Sequence, residues 1–212
     1  MQHCVSGRNN FGRAAQMIGV DEAGRGPLAG PVCAAAVVLP PEARTWGLAD
    51  SKVTSKARRL ELARRVESQA LAFGLGWASV EEIDSLNILQ ATCLAMFRAV
   101  TACRATPLVW DDMSVMVDGS VNPARYLASG SWVWPTQTVV RGDATISAIS
   151  AASILAKVHR DAVMAALDLE YPGYGFGQHA GYGTAQHLAA LDRLGVCAAH
   201  RKSFAPVSRR LR

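Results

Sequence analysis

The chain has 212 residues, half of them hydrophobic, with 22 Lys and Arg against 17 Asp and Glu and a formal net charge of +5. This length and composition exclude a disordered segment and favour a single domain with one sizeable core. The basic balance indicates a polyanionic partner, and without a long apolar run or an apolar leader we expect a cytoplasmic protein that makes no membrane contact.

The stretch from residue 17 to residue 40 predicts two strands joined by a functional loop. An apolar run leads directly into Asp21 and Glu22, and a second apolar run covers residues 32–39. Two adjacent carboxylates at the edge of an apolar core repel each other unless a cation lies between them. A divalent metal with oxygen ligands, Mg²⁺ or Mn²⁺, is the natural cation.

The loop between these two strands is rich in glycine and carries a single arginine. Arg25 lies between Gly24 and Gly26, where the lack of a Cβ lets the backbone approach a bulky ligand closely. A guanidinium beside carboxylates in such a loop suggests a site for a metal and a phosphate. The alternative is an ordinary β-hairpin with an Asp–Glu pair on its surface.

The rest of the chain alternates helical and strand patterns. Helices are predicted at 56–72, 87–103, 147–170 and 186–194, with a turn or short helix at 80–86. Further strands are predicted at 73–79, 115–117 and 138–140, and loops at 46–55, 120–135 and 171–184. Interleaved strands and helices predict an α/β fold with a mixed sheet. We place one domain at 15–206 and expect loose polar or basic termini at 1–14 and 207–212.

Two later strands also run into acidic residues, Asp118 and Asp143. Ligands of open α/β sheets collect at strand ends, so these carboxylates could meet Asp21 and Glu22 although they are distant in sequence. Four carboxylates around one point can hold two divalent cations about 3.5–4 Å apart, an arrangement used for in-line phosphoryl displacement. One Asp at a strand end is often only a turn residue, and the joint pattern is more specific.

The long helix offers further polar candidates on one face. Ser153 and Lys157 fall at helical spacing and are candidates for contacts with phosphates. The alternative is a polar helix face with an ion pair between Lys157 and Asp161. The three histidines near the end of the chain, at 179, 187 and 200, fit no zinc spacing, so we expect structural or phosphate-contacting roles for them.

The ordered motifs of the chain resemble those of ribonuclease HII, in the type 2 ribonuclease H family. They are DEAGRGPLAGPV at 21–32, ADSK at 49–52, NILQAT at 87–92, VDG at 117–119, RGD at 141–143, ISAASILAKVHRD at 149–161, YPGYGF at 171–176, HAGYGT at 179–184 and HRKSFAPV at 200–207. They span nearly the whole chain. The resemblance implies an RNase H-like fold, with a mixed central sheet flanked by helices and a small helical C-terminal part.

The resemblance also implies an activity. It is that of a metal-dependent endonuclease that hydrolyses the RNA strand of RNA–DNA hybrids and incises 5′ of single ribonucleotides embedded in duplex DNA. Two divalent ions, Mn²⁺ or Mg²⁺, are the implied cofactors, the two nucleic acids are the implied partners, and a monomer is expected. The family's metal-binding and catalytic acids match Asp21, Glu22, Asp118 and Asp143.

Other residues match the family's nucleic-acid contacts. The ribonucleotide-sensing motif corresponds to Gly24, Arg25 and Gly26, and the tyrosine that stacks at the RNA–DNA junction corresponds to Tyr182. Backbone groups of a glycine loop can touch a 2′-hydroxyl, which distinguishes RNA from DNA. Because Tyr182 lies between two glycines without apolar periodicity, we expect it to be exposed. Lys52 is expected to contact a phosphate, as are the two helix residues named above.

Three alternatives remain at this level. A hydrolase or phosphotransferase of small phosphates would not need the basic segments 50–59 and 200–212. A non-catalytic nucleic-acid-binding module would not need strand-end acids, which repel DNA without bound metal. Ribonuclease HIII normally carries an additional N-terminal domain, for which the first fifteen residues leave no room.

Overall fold

The computed structural model describes residues 17–48, 55–108, 110 and 113–211. The strands within these ranges are β1 (Met17–Ala23), β2 (Val32–Val38), β3 (Ala72–Ala78), β4 (Ser114–Asp118) and β5 (Thr136–Val139). They form a sheet in the order β3-β2-β1-β4-β5. The β1–β2 and β2–β3 pairs are antiparallel, whereas β1–β4 and β4–β5 are parallel. The predicted mixed sheet is confirmed.

The longer helices lie close to their predicted positions, whereas three of the described helices, each of four residues, lie in segments that were not predicted to be helical. The helices are α1 (Lys56–Gln69), α2 (Val80–Leu86), α3 (Ile88–Arg104), α4 (Gly142–Thr145), α5 (Ser147–Glu170), α6 (Phe176–His179), α7 (Ala185–Leu194) and α8 (Ala205–Ser208), with 3₁₀ turns at Pro41–Thr45 and Pro123–Arg125. Among the described residues no helix is both long enough and apolar enough to cross a membrane.

The helices cover both faces of the sheet. On one face α3 packs against side chains such as Val20 of β1, and on the other α1 and α5 pack against β2. All seven residues of β2 are buried, which explains its continuous apolar sequence, because a strand covered on both faces does not alternate. The segment 120–135, predicted as a loop, contains a 3₁₀ turn and inserts Trp132 into the core beside α3.

Gly19 of β1 brings the sheet and α5 unusually close together. A Cβ at this position would lie 2.2 Å from the carbonyl carbon of Ala148, so only glycine allows the strand and helix backbones to touch. The contact fixes α5 against the middle of the sheet. As a consequence, Ser153 on α5 faces β1 and contacts Asp21, which follows Gly19 by two residues on that strand.

The C-terminal part is the small helical unit that was predicted, but its end is packed more firmly than expected. Val207 is fully buried beside Leu191 and Leu28. Arg210 pairs with Asp192 at 2.6 Å. Residues 207–211 therefore differ from the loose terminus that their basic composition predicted, because one apolar side chain and one ion pair hold them on α7. Residues 1–14 lie outside the described part of the chain.

Candidate active site

Asp21 and Glu22 lie within β1. The strand was predicted to end at Val20, before these two acids, but it extends to Ala23. The strand continues because both residues keep their antiparallel partners in β2. Neighbouring side chains of a strand point to opposite faces. Asp21 therefore faces α5, where it accepts a hydrogen bond from the Ser153 hydroxyl, and Glu22 borders a cavity of about 190 Å³ on the α3 side.

The other two acids reach the same region by different routes. The parallel register of β1 and β4 places Asp118 level with Asp21. Asp143 does not end β5, as predicted, but lies in the short helix α4, after Arg141 in a left-handed conformation. This turn directs the Asp143 backbone N–H to the Asp118 carboxylate, 3.3 Å away. The Ser150 hydroxyl of α5 donates to the Asp143 carbonyl and holds the turn in place.

The electrostatics of this region are unfavourable without a cation. Burial raises the pKa of Asp21 well above its usual value, and repulsion from Glu22 and Asp118 raises it further. Burial also raises the pKa of Glu22, although Arg25, whose guanidinium lies 3.3 Å from the Glu22 carboxylate, opposes this rise. Three carboxylates thus share one low-dielectric region in which a bound cation would stabilise their charged forms.

The chemistry of the donors fits a hard divalent cation. Asp21, Glu22 and Asp118 offer carboxylate oxygens, the ligands preferred by Mg²⁺ and Mn²⁺. No three His, Cys, Asp or Glu side chains in the described residues are already gathered closely enough to hold a metal ion.

A cleft of about 480 Å³ opens beside these carboxylates. Its wall includes the three acids of β1 and β4 and residues of the glycine loop, α1, α5 and the loop before α7: Asp21, Glu22, Asp118, Gly24, Arg25, Gly26, Arg59, Ser153, Lys157, Arg160 and Tyr182. The structure thus brings together every predicted nucleic-acid contact that it describes. Lys52 lies outside the described residues, and Asp143 is not among the residues that line the cleft.

Two lining residues were not singled out from the sequence. Arg59 is one of several arginines on α1, and the sequence did not distinguish it from the others. Arg160 lies within the motif at 149–161 but does not belong to the polar face of α5, because its side chain is buried and only 1% exposed. Lys157 lines the cleft and forms the expected ion pair with Asp161 at 2.7 Å, while its contact with a phosphate remains a prediction.

Tyr182 is exposed at the rim of the cleft, as predicted, with 47% of its surface accessible. Its ring lies over Gly26, where an added Cβ would come within 3.4 Å of a ring carbon. The aromatic ring and the glycine loop therefore form adjoining walls of one binding surface.

The predicted structural role of the histidines is supported by a hydrogen-bonded chain behind Tyr182. The Cys197 N–H donates to Nδ1 of His200 at 3.1 Å, so the proton of neutral His200 resides on Nε2. That nitrogen lies 3.1 Å from Nε2 of His187, whose Nδ1 in turn lies 2.9 Å from the Tyr182 carbonyl. These neutral imidazoles connect the backbone of Tyr182 to the C-terminal part.

This histidine chain predicts acid sensitivity of folding. Burial lowers the pKa of His200 from 6.5 to about 4. Between these two pH values the unfolded chain binds a proton on this residue, whereas the native protein does not. The free energy of unfolding should therefore fall as the pH drops from 6.5 towards 4, by up to about 3 kcal/mol from this residue. In urea titrations, His200→Gln should lose less stability over that range than the wild type.

The control for this measurement is a side chain that carries no titratable group. Gln178 accepts an exposed hydrogen bond from Gln186 at 2.9 Å, so Gln178→Ala should leave the pH dependence of unfolding close to that of the wild type. If His200→Gln and the wild type lost equal stability between pH 6.5 and 4, burial of neutral His200 would not be the cause.

The sheet is mixed, and carboxylates lie on two of its parallel neighbouring strands. They open into a cleft lined by arginine, lysine and a glycine loop. This combination is typical of the class of RNase H-like nucleases. A family model described as Ribonuclease HII matches residues 18–207. The Ribonuclease HII of Laribacter hongkongensis is 54% identical over 92% of this chain and 93% of the relative. The chain therefore belongs to the ribonuclease HII family and is an endoribonuclease.

Solved structures agree with this fold. The ribonuclease H2 of Pyrococcus horikoshii superposes with a TM-score of 0.72 at 23% identity, covering 92% of this chain and 96% of that one. Bst-RNase HIII, solved in complex with Mn²⁺, superposes with a TM-score of 0.75 at 16% identity, covering 93% of this chain and 70% of that one. The RNase H-like fold implied by the sequence motifs is confirmed.

Proposed function

We propose that this protein cleaves the RNA strand of RNA–DNA hybrids and incises 5′ of single ribonucleotides in duplex DNA, using two divalent metal ions. The observation that carries the proposal is one shared cleft. It contains three of the acids, which would hold metal, and it also contains the glycine loop and Tyr182, which would recognise the ribose. Metal chemistry and sugar recognition are thereby adjacent, as cutting next to a ribonucleotide requires.

Asp21, Glu22, Asp118 and Asp143 would hold the Mn²⁺ or Mg²⁺ ions. Bound there, the ions would supply an activated water and would neutralise charge on the leaving oxygen. The Mn²⁺ complex of Bst-RNase HIII supports the use of a divalent ion by this fold. Within the chain itself, the Ser153 hydroxyl orients the Asp21 carboxylate, which fixes the direction in which its second oxygen faces the cleft.

The cations of the cleft would bind the phosphates that flank the scissile bond. Lys157 and Arg59 lie on neighbouring helices, α5 and α1, and both border the cleft. The pair between Lys157 and Asp161 keeps the ammonium near this wall, where a phosphate oxygen can join or replace the Asp161 carboxylate. Lys52, which lies outside the described residues, remains a proposed phosphate contact.

Recognition of the ribose would come from two adjoining surfaces. The backbone of Gly24, Arg25 and Gly26 borders the cleft and can reach a 2′-hydroxyl. The exposed ring of Tyr182 would pack on the following deoxyribose, for which a hydroxylated sugar is a poorer partner. A single ribonucleotide followed by DNA satisfies both contacts at once.

One gel tests the proposed function. A DNA duplex with one embedded ribonucleotide is incubated with the protein in Mg²⁺, in Mn²⁺ or in EDTA. We expect one cut 5′ of the ribonucleotide with either metal and none in EDTA. An uncut ribonucleotide-containing duplex, or equal cutting of an all-DNA duplex, would contradict the proposal.

Salt dependence tests the phosphate contact of Lys157. Since each phosphate contact releases counterions, the slope of log affinity against log salt should become shallower by about one in Lys157→Ala. Without Lys157, the Asp161 carboxylate is left to the solvent, so the stability of the protein should change little. Arg193→Ala is the matched control, because Arg193 is bonded to the Gly173 carbonyl away from the cleft. Equal slopes in the wild type and Lys157→Ala would remove Lys157 from the interface.

A further inference from the structure

Arg201 is fully buried, and its side chain is bonded to backbone carbonyl oxygens of the glycine loop. The distances are 2.6 Å to Gly24, 3.0 Å to Arg25, 2.7 Å to Pro27, 2.9 Å to Gly30 and 3.3 Å to Pro31. Its backbone N–H also donates to the Leu28 carbonyl at 2.8 Å. One residue thus binds the inner side of the whole turn between β1 and β2.

The Arg201 charge is stabilised by these carbonyls. Its guanidinium stacks on Phe204, 5.2 Å from the ring centroid. Burial, together with repulsion from Arg160, lowers the pKa of Arg201 to about 9, so the residue remains charged at neutral pH. A buried cation is tolerated only while acceptors surround it. The guanidinium therefore favours loop conformations in which the carbonyls point inward.

The inward carbonyls determine where the amide groups point. The peptide bonds of the described residues are trans, and in a trans peptide the C=O and the following N–H point in opposite directions. The loop shows this directly at Pro27, whose carbonyl accepts from Arg201 while the next N–H, of Leu28, donates outward to the Gly181 carbonyl at 2.8 Å. That bond joins the loop to the segment that carries Tyr182.

The same geometry applies to the two preceding peptides. Because the Gly24 and Arg25 carbonyls face Arg201, the N–H groups of Arg25 and Gly26 face the other way, towards the cleft that these residues line. Neither N–H donates a hydrogen bond to another of the described residues. Two donors are thus presented side by side to a ligand in the cleft.

We propose that Arg201 is a positioning residue for sugar selection: by holding the carbonyls of the glycine loop inward, it presents the Arg25 and Gly26 amides to the 2′-hydroxyl of a ribose. The inference rests on the proposed function, since it needs a ribonucleotide in the cleft. Arg201 does not border the cleft and acts only through the loop.

Arg160 also binds carbonyls of this loop, including that of Pro31, but it is a poorer test. It donates to the Pro31, Ala29 and Ala180 carbonyls at 2.9, 3.1 and 3.0 Å. Gly24 accommodates it, since an added Cβ would lie 1.9 Å from the Arg160 Nε. Because Arg160 also borders the cleft, a substitution there would mix positioning with direct contact.

Binding without cleavage separates sugar selection from general integrity. In Ca²⁺, a hard cation that we use as a non-catalytic replacement, the dissociation constants are measured for a DNA duplex with one ribonucleotide and for the same all-DNA duplex. We expect the wild type to prefer the ribonucleotide by about tenfold, the effect of one or two hydrogen bonds. Arg201→Lys keeps the charge but not the planar fork, and its preference should fall below about threefold with unchanged all-DNA binding.

Arg98→Lys is the matched control. Arg98 also donates to a backbone carbonyl and does not border the cleft. Its partners are the Trp77 carbonyl in β3 and Glu82, which do not belong to the glycine loop. Its preference for the ribonucleotide should equal that of the wild type.

The outcomes are distinguishable. An unchanged preference in folded Arg201→Lys would overturn the inference, and so would equal weakening of both duplexes, which indicates general loosening. If the variant does not fold, Arg201→Ala is examined with added methylguanidinium. Return of the preference supports the inference, whereas return of folding without the preference overturns it. A wild type without preference would overturn the proposed function itself.

Discussion

Asp21→Asn is expected to reduce cleavage by at least about three orders of magnitude without destabilising the metal-free protein. Asn keeps the shape and can still accept the hydrogen bond from the Ser153 hydroxyl, but it removes a buried negative charge close to Glu22 and Asp118. The loss of charge weakens metal binding while relieving repulsion in the fold. Initial rates on an embedded ribonucleotide and thermal unfolding in EDTA measure the two effects separately. Asp118→Asn should behave similarly.

The matched control makes the same chemical change on the surface. Asp192 lies on α7, remote from the cleft, and Asp192→Asn removes its ion pair with Arg210. The cleavage rate should stay within about twofold of that of the wild type. Substantial activity in Asp21→Asn, or in the wild type with EDTA, would contradict the two-metal proposal. A large loss of thermal stability in Asp21→Asn would show that the carboxylate is needed for folding.

Tyr182→Ala is expected to impair incision at a single embedded ribonucleotide by about tenfold to a hundredfold, the effect of losing one ring–sugar stack. The effect on a continuous RNA–DNA hybrid should be smaller, because that substrate offers no deoxyribose after the cut ribonucleotide. The exposed ring contributes little to the core, and the bond that anchors this loop is made by the Tyr182 backbone carbonyl to His187. Stability should therefore change little.

Tyr182→Phe separates the ring from its hydroxyl. It keeps the face that lies over Gly26 and should retain most of the selectivity. A Mn²⁺ titration should give the same affinity in the wild type and both variants, since Tyr182 is not among the acids. Equal losses on both substrates, together with a lower melting temperature in Tyr182→Ala, would assign the ring a structural role.

Features encoded by local patterns could be predicted from the sequence, and features made by distant contacts could not. The apolar run before Asp21 identified β1, but its extension to Ala23 depends on pairing with β2, which a local pattern does not contain. Asp118 was found at a strand end because β4 does stop there. The location of Asp143 in α4 follows from the left-handed Arg141, a conformation uncommon for residues other than glycine.

The role of Arg201 was hidden for a different reason. Its side-chain partners are backbone carbonyls, which every residue possesses, so no residue type marks them in the sequence. The histidine chain was hidden similarly, since its partners are the Tyr182 carbonyl and the Cys197 amide. The spacing of these histidines excluded a zinc site, but it did not identify the hydrogen bonds that their side chains make.

The long sequence separation between Arg201 and its loop has a consequence for biosynthesis. The Gly24 and Gly30 carbonyls leave the ribosome early, whereas their guanidinium partner follows 177 and 171 residues later. A nascent chain can pair β1 with β2 long before then, and Arg160 can bind the Ala29 and Pro31 carbonyls earlier than Arg201 can bind its own partners. The full set of hydrogen bonds on the inner side of the turn therefore forms only after Arg201 has been synthesised, so the final geometry of this turn depends on a contact that is made late in synthesis.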